Sequence, residues 1–394
     1  MSNPNIAEAT ALMESFAERT GLSGDHPPHR YLWTDAFAVC NFLGLAQATG
    51  EQRYTELALR LVDQVHHTLG RHRNDDPRSG WLSGLNDQDG EHHPTRGGLR
   101  IGKALPERKP DEPYDELLEW ERDGQYFHYL TKWMHALDQV AQATSEPRYN
   151  LWARELARTA HHAFTFLLAP GGPRRMNWKM SVDLSRSLIP TMGQHDPLDG
   201  YITCLDLQAT AAALPTAETE PDLTGEIGQL ASMVEDGGWI TSDPLGIGGL
   251  LTDARRVDDL LRRGAISDEQ LRKDLLSAAN FSLRSYLAGD ELRQPSEYRL
   301  AFRELGLAIG LQATETMWQT ANDEATQSDE SPELLSQLQA LREYTSIGND
   351  IESVWRNPEH RHSAAWSDHR DINEVMLATC LVPEGFLIKR ALNP

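Results

Sequence analysis

One ten-residue phrase occurs twice in this chain, 95 positions apart, each time at the junction between two apolar helical runs. Leu45-Ala-Gln-Ala-Thr-Gly-Glu-Gln-Arg-Tyr54 is echoed by Val140-Ala-Gln-Ala-Thr-Ser-Glu-Pro-Arg-Tyr149, and the doublet His66-His67 by His161-His162 at the same offset. The Gln-Ala-Thr core returns at Gln208-Ala209-Thr210 and Gln312-Ala313-Thr314. A repeated helical hairpin constrains everything else, because each unit carries an apolar face that only a neighbouring unit can cover.

Apolar residues at helical spacing run through most of the sequence, and alternating stretches are scarce, so the fold class is all-α. The first hairpin spans Tyr31–Thr49, apolar nearly all round, and Arg53–Leu69, with Leu57, Leu61, Val65 and Leu69 on one stripe. One helix is therefore inner and its partner outer. Tyr126–Thr144 and Arg148–Leu168 repeat the pair. Further helices are expected at about 200–214, 222–235, 244–263, 267–288, 295–319, 331–356 and 371–381, with an opening helix at 5–20. Twelve helices in antiparallel pairs fit one domain over 1–394, a closed ring of six hairpins in which the opening helix completes the last pair. Two long insertions interrupt it at about 71–122 and 169–199, and their Trp, Arg and Gly content suits an ordered wall or lid.

The hairpin phrase Met134-His-Ala-Leu-Asp-Gln-Val-Ala-Gln-Ala-Thr-Ser-Glu-Pro-Arg-Tyr149 resembles those of the six-hairpin (α/α)6 toroid superfamily. That superfamily includes glycoside hydrolases, unsaturated glucuronyl hydrolases and the N-acylglucosamine 2-epimerase family. The resemblance implies a toroid fold around a central cavity and carbohydrate chemistry. It rests on scaffold phrases and singles out no member family.

Composition narrows the partners. A net charge of −22 and no basic run longer than a pair argue against nucleic acid. No stretch reaches the roughly 18 apolar residues of a membrane span, and no secretory leader opens the sequence, which leads to the expectation of a cytoplasmic protein. Cys40, Cys204 and Cys380 lie far apart in apolar stretches and read as buried thiols. Neither metal nor cofactor is expected. Asn86-Asp87-Gln88-Asp89-Gly90 fails as a calcium loop, having Leu85 and Arg96 where ligands belong. Gly97-Gly98-Leu99-Arg100-Ile101-Gly102-Lys103 fails as a phosphate loop, with Ala104 in place of the hydroxyl residue. Asn349-Asp350-Ile351-Glu352-Ser353 begins like a terpene-cyclase magnesium motif but has Asn357 at its last ligand position.

In a ring of hairpins all inner helices run the same way, so the segments leading into them gather at one mouth. Those segments carry carboxylates beside aromatic rings, a combination suited to a sugar, whose C–H face stacks on rings while its hydroxyls seek hydrogen bonds. Asp123 and Asp199, each followed by Gly and then a Tyr, are the first candidates for an acid and a base, with His195, Asp35 and His128 next. Trp33, Tyr126, Tyr201, Trp239, Asp243, Arg299, Arg303 and His369 are candidate substrate contacts. Each aspartate also has a helix-capping explanation, strongest at Asp243-Pro244. Two carboxyls flanking one bond would make a glycoside hydrolase of a small saccharide. Histidines at the same mouth, His128 and His135 among them, would suit a sugar 2-epimerase or ketose–aldose isomerase. A helical-repeat scaffold without catalysis is the third reading.

Overall fold

The computed structural model describes residues 3–214, 220–235, 237–325 and 332–388. The chain forms two compact units: one runs from Ala17 to Gly237, and the other joins the opening segment up to Phe16 to the chain from Gly238 to residue 388. Helix α1 (Pro4–Arg19) opens the chain.

The Ala17–Gly237 unit holds α2 (Leu32–Thr49), α3 (Gln52–Leu69), α4 (Asp87–His92), α5 (Glu116–Glu121), α6 (Phe127–Thr144), α7 (Pro147–Phe164), α8 (Asp196–Ala213) and α9 (Thr224–Val234). Helix α6 packs on both α2 and α8, and each of the three also packs on the helix that follows it in its hairpin, α3, α7 or α9. In α2 every residue from Leu32 to Leu45 is buried, as its all-round apolar sequence requires.

The repeated phrase has a local physical cause. Thr49 Oγ1 donates to the Leu45 carbonyl at 2.7 Å and accepts from the Glu51 amide at 3.1 Å; Thr144 does the same with Val140 at 2.8 Å and Glu146 at 3.3 Å. The next residue turns left-handed in both copies, Gly50 at φ 73° and Ser145 at φ 56°. Arg53 and Arg148 then cover the rings of the buried Tyr54 and Tyr149 at 4.4 and 4.8 Å. The third and fourth copies differ: Gln312-Ala313-Thr314 lies inside a helix that continues to Ala325.

The other unit contains α10 (Pro244–Arg262), α11 (Gln270–Leu287), α12 (Ala301–Ala325), α13 (Pro332–Arg342), α14 (Thr345–Arg356), α15 (Ala364–Ser367), α16 (Arg370–Leu381) and α17 (Glu384–Leu387). Helices α10 and α12 approach most closely at Gly248, which meets Gly306 and Gly310 backbone to backbone. Glu8 of α1 pairs with Arg356 at 2.8 Å and Arg361 at 3.0 Å, setting the opening helix beside the end of α14.

Several expected boundaries move. The single helix expected at 331–356 is two, broken between Arg342 and Thr345, and the one expected from 295 starts at Ala301 after two 3-10 turns. Helix α7 stops at Phe164 rather than 168, because β2 (Thr165–Leu167) pairs antiparallel with β3 (Arg174–Met176). Helix α8 starts at Asp196, four residues earlier than expected. Three more short strands, β1 (Gln125–Tyr126), β4 (Lys179–Met180) and β5 (Ser187–Ile189), form a sheet in the order β1-β4-β5.

The insertion at 71–122 is stitched to the helices around it. The Leu32 amide donates to the Ile101 carbonyl at 3.0 Å, the Arg100 amide to Leu69 at 3.0 Å and the Ile101 amide to Gly124 at 2.8 Å. Arg78, held within it by ion pairs with Asp76 and Glu107, both at 2.9 Å, joins it to the second insertion through Asp183 at 2.7 Å. The segment over Asp87–Gly90 is the first turn of α4, capped by the Asn86 side chain. The three cysteines are buried and form no disulfide. Among the described residues no helix is long and apolar enough to cross a membrane.

Candidate active site

In the Ala17–Gly237 unit the starts of α2, α6 and α8 converge. Strand β1 delivers Tyr126 and then His128, and its pairing with β4 sets Trp178 alongside them. The Tyr126 ring lies 5.3 Å from His128, 5.2 Å from Tyr129 and 5.6 Å from Trp178, while Trp120 meets Trp178 edge-on at 4.9 Å. Tyr31, at the start of α2, shares a 2.7 Å hydroxyl–hydroxyl hydrogen bond with Tyr129. Against Tyr126 sits the fully buried Lys179, whose ammonium donates to the carbonyls of Glu119 and Arg122 and pairs with the Glu119 carboxylate at 3.0 Å. Arg108 completes that layer by donating to Glu119 at 2.8 Å. The aromatic wall therefore rests on a satisfied ionic base, the condition under which burying such charges is tolerable.

Two carboxyls stand in the first turn of α8. Asp196 and Asp199 are both buried, three residues apart and so on one helix face. Asp199 accepts from Thr131 Oγ1 at 2.5 Å and from the Lys132 ammonium at 2.8 Å. Asp196 has no such support: its Oδ2 has no hydrogen-bond partner among the described residues, and the nearest ring nitrogen, His128 Nδ1, stands 3.8 Å from Oδ1. Burial, followed by the neighbouring Asp199, pushes its pKa up to about 7, with Lys132 acting in the opposite direction. A Cβ on Gly193 would stand 2.5 Å from that same Oδ2, so only glycine leaves the carboxyl its place.

His128 is neutral, its pKa lowered to about 4 by burial and then by Lys132, against the pull of Asp199. Its Nδ1 accepts from the Trp178 indole at 3.3 Å. The neutral ring accordingly carries its proton on Nε2 and presents a donor there. The cluster thus holds a carboxyl that keeps its proton near neutrality, a carboxylate tied to an ammonium, a ring donor and an aromatic wall.

Asp123, the first candidate from sequence, is held by the insertion that precedes it. It is fully buried, and its carboxylate accepts from Arg100 at 2.9 Å, the Gly102 amide at 3.0 Å and the Gly124 amide at 3.1 Å. Asp35 accepts from the Tyr31 amide at 2.9 Å and faces Arg30 at 3.5 Å, while Trp33 packs on Phe37 at 4.4 Å in the core. His195 occupies the N-cap position of α8 and Tyr201 is half-buried on the same helix.

The remaining candidates belong to the other unit. Asp243 caps α10, accepting from the Leu245 amide at 3.2 Å, and pairs with Arg303 at 2.9 Å. Arg299 is spent on Glu304 through two hydrogen bonds of 2.8 and 2.7 Å. His369 is exposed, 5.6 Å from the Phe302 ring, and Trp239 is half-buried.

Asp196, Lys132, Trp178, Tyr31 and Tyr129 escaped the sequence reading. For Asp196 a signal existed: with Asp196-Pro197 taken as a helix start, Asp196 and Asp199 fall on one face.

No family model and no curated protein sequence matches the chain. Solved structures do. A GH76 alpha-mannanase of Bacteroides thetaiotaomicron superposes with a TM-score of 0.57 at 9% identity, covering 97% of this chain and 96% of that one. An inactive variant of the alpha-1,6-mannanase GH76A of Salegentibacter, in complex with alpha-1,6-mannotriose, gives 0.51 at 11% identity over 96% and 99%. A cellobiose 2-epimerase of Bacillus thermoamylovorans gives 0.45 at 10% identity over 86% and 87%. The two mannanase likenesses run over nearly the whole chain and show that it has their fold, an all-α (α/α)6 toroid.

Proposed function

We propose that this protein is a carbohydrate-active enzyme, a glycoside hydrolase of a small saccharide, with Asp196 as the proton donor and Asp199 as the second carboxyl. The observation that carries the reading is the unequal environment of two carboxyls one helical turn apart. Two carboxyls in unlike surroundings, one held by a hydroxyl and an ammonium and the other with an unpartnered oxygen, can divide the acid and base roles between them. Residues three apart on a helix have Cβ atoms about 5–6 Å apart, within reach of the roughly 5–9.5 Å between carboxyls that bond cleavage by two acids uses. Tyr126, Trp178 and Tyr129 supply the stacking surface, and His128 donates from Nε2 to a sugar hydroxyl.

The fold likeness supports this reading. The Salegentibacter mannanase is inactive when two consecutive aspartates are replaced by asparagine. In this chain the consecutive pairs are committed to arginines: Asp75 and Asp76 to Arg73 and Arg78, Asp258 and Asp259 to Arg272 and Arg255. The spaced pair at 196 and 199 takes the chemical part. Asp123 is assigned to holding the insertion.

Epimerisation is the second reading, favoured by the unprotonated His128 and opposed by the Trp178 hydrogen bond that occupies its Nδ1. Incubation with mono- and disaccharides in deuterated water separates the two. New reducing ends that vanish in Asp196→Asn and Asp199→Asn, at unchanged fold by circular dichroism, support hydrolysis. Deuterium at the 2-position without cleavage refutes it in favour of the isomerase, and silence with every sugar refutes both.

A further inference from the structure

The chain uses lysine sparingly, six against thirty-one arginines, yet three of the six, Lys103, Lys132 and Lys179, stand around the aromatic wall. Two are spent, Lys132 on Asp199 and Lys179 on Glu119. Lys103 is different: its ammonium lies 5.6 Å above the Tyr31 ring and has no carboxylate partner among the described residues.

Its position is built from both sides. The Lys103 amide faces the buried Asp123 carboxylate at 3.4 Å, and its carbonyl accepts from Arg73 Nη1 at 2.6 Å. Arg73 Nη2 also holds the Ala104 carbonyl at 2.8 Å. The preceding Gly102, at φ 94°, lies so near the Arg30 carbonyl that a Cβ would collide with it. A buried ion pair thereby fixes the backbone of Lys103 against the start of α2 while its side chain stays half-exposed. Tyr31 beneath it joins Tyr129, and Tyr129 touches His128 at 4.9 Å, which leads to Asp196. Glu121 is the nearby exposed opposite charge and acts on Tyr31, but it makes no ion pair with Lys103.

Resting on the hydrolase reading, we infer that Lys103 is a specificity-determining residue that receives an anionic group, carboxylate or phosphate, on the saccharide bound against Tyr31 and Tyr129. A cation held over a ring with no acid of its own gains a charge-assisted hydrogen bond when a ligand anion arrives. Its main chain is already ordered, so little entropy is lost in the process.

The test is calorimetric titration of the full chain with D-glucose, D-glucuronate and D-glucose 6-phosphate. The wild type should prefer one of the two anions over glucose by about tenfold or more, roughly 1.4 kcal/mol, and the preference should shrink as salt is raised. Lys103→Gln should bring the anion to parity with glucose, and Lys103→Arg should restore the preference. Whichever anion wins identifies the charged group. Equal affinity for glucose and both anions, or a preference that survives Lys103→Gln, overturns the inference even if neutral saccharides are cleaved. The hydrolase reading stands in that case. Absence of binding to all three sugars together with absence of new reducing ends removes both.

Discussion

Adjacent glycines on α10 should respond to the same substitution with opposite signs. A Cβ on Gly248 would stand 2.5 Å from the Gly306 carbonyl carbon and 2.8 Å from the Leu307 amide nitrogen, and still nearer the Gly306 oxygen. All are backbone atoms that cannot rotate away. Restoring ordinary contact forces α10 and α12 apart by roughly 1 Å, a gap that forfeits a quarter to a half of each remaining contact across the interface. Overpacking of this kind costs about 1–3 kcal/mol, and rigid backbone on the far side favours the upper end. Alanine's better helix propensity returns about 1 kcal/mol, leaving Gly248→Ala destabilised by about 1–2 kcal/mol. Gly249 has nothing within 4 Å of its added Cβ, so Gly249→Ala keeps the propensity gain alone and should be more stable by about 0.5–1 kcal/mol. Urea denaturation read by circular dichroism should move the two midpoints in opposite directions. A Gly248→Ala protein as stable as the wild type, or two shifts of the same sign, would refute the close approach of these helices.

Asp123→Asn leaves the buried Arg100 guanidinium without its anion, and breaking one partner of a buried pair costs about 3–5 kcal/mol; thermal denaturation should show a large loss, unlike that of Asp196→Asn. Asp196 titrates near 7 in the folded chain and near 3.8 when unfolded, so the folded form binds the extra proton and stability falls as pH rises between those values; Asp196→Asn should flatten that slope in urea titrations from pH 4 to 7. His66, held neutral by burial down to about 3, makes the opposite contribution, and stability should fall as pH drops below 6.5. His66→Gln should weaken that acid sensitivity, and an unchanged profile would remove His66 as its source.

The hairpins were legible because their signals are local. Thr, a left-handed Gly or Ser, and Arg over Tyr recur in sequence as they do in space, and the all-apolar run of α2 announces its burial. Ring-bearing segments before the inner helices were also readable, and Tyr126, His128 and Asp199 do meet. The partner of Asp123 was not legible, because an aspartate before glycine looks the same whether it faces a ligand or an arginine; the Arg100 that pairs with it comes from an insertion whose path no periodicity reveals. Asp196 was hidden by a helix start misplaced by four residues, which put it in a loop instead of on the face it shares with Asp199. Trp178 and Lys103 depend on pairing across insertions, and side-chain spacing along the chain carries no trace of that.

The stitching of the 71–122 excursion has a practical consequence. Its backbone is laced to the start of α2, the end of α3 and the segment just before β1, and Arg78 pins it to its neighbour. It behaves as masonry rather than a flap. A protease that nicked the exposed stretch near Asp111 would leave two fragments still clasped, migrating as one particle until denaturant parts them, with the aromatic wall undisturbed.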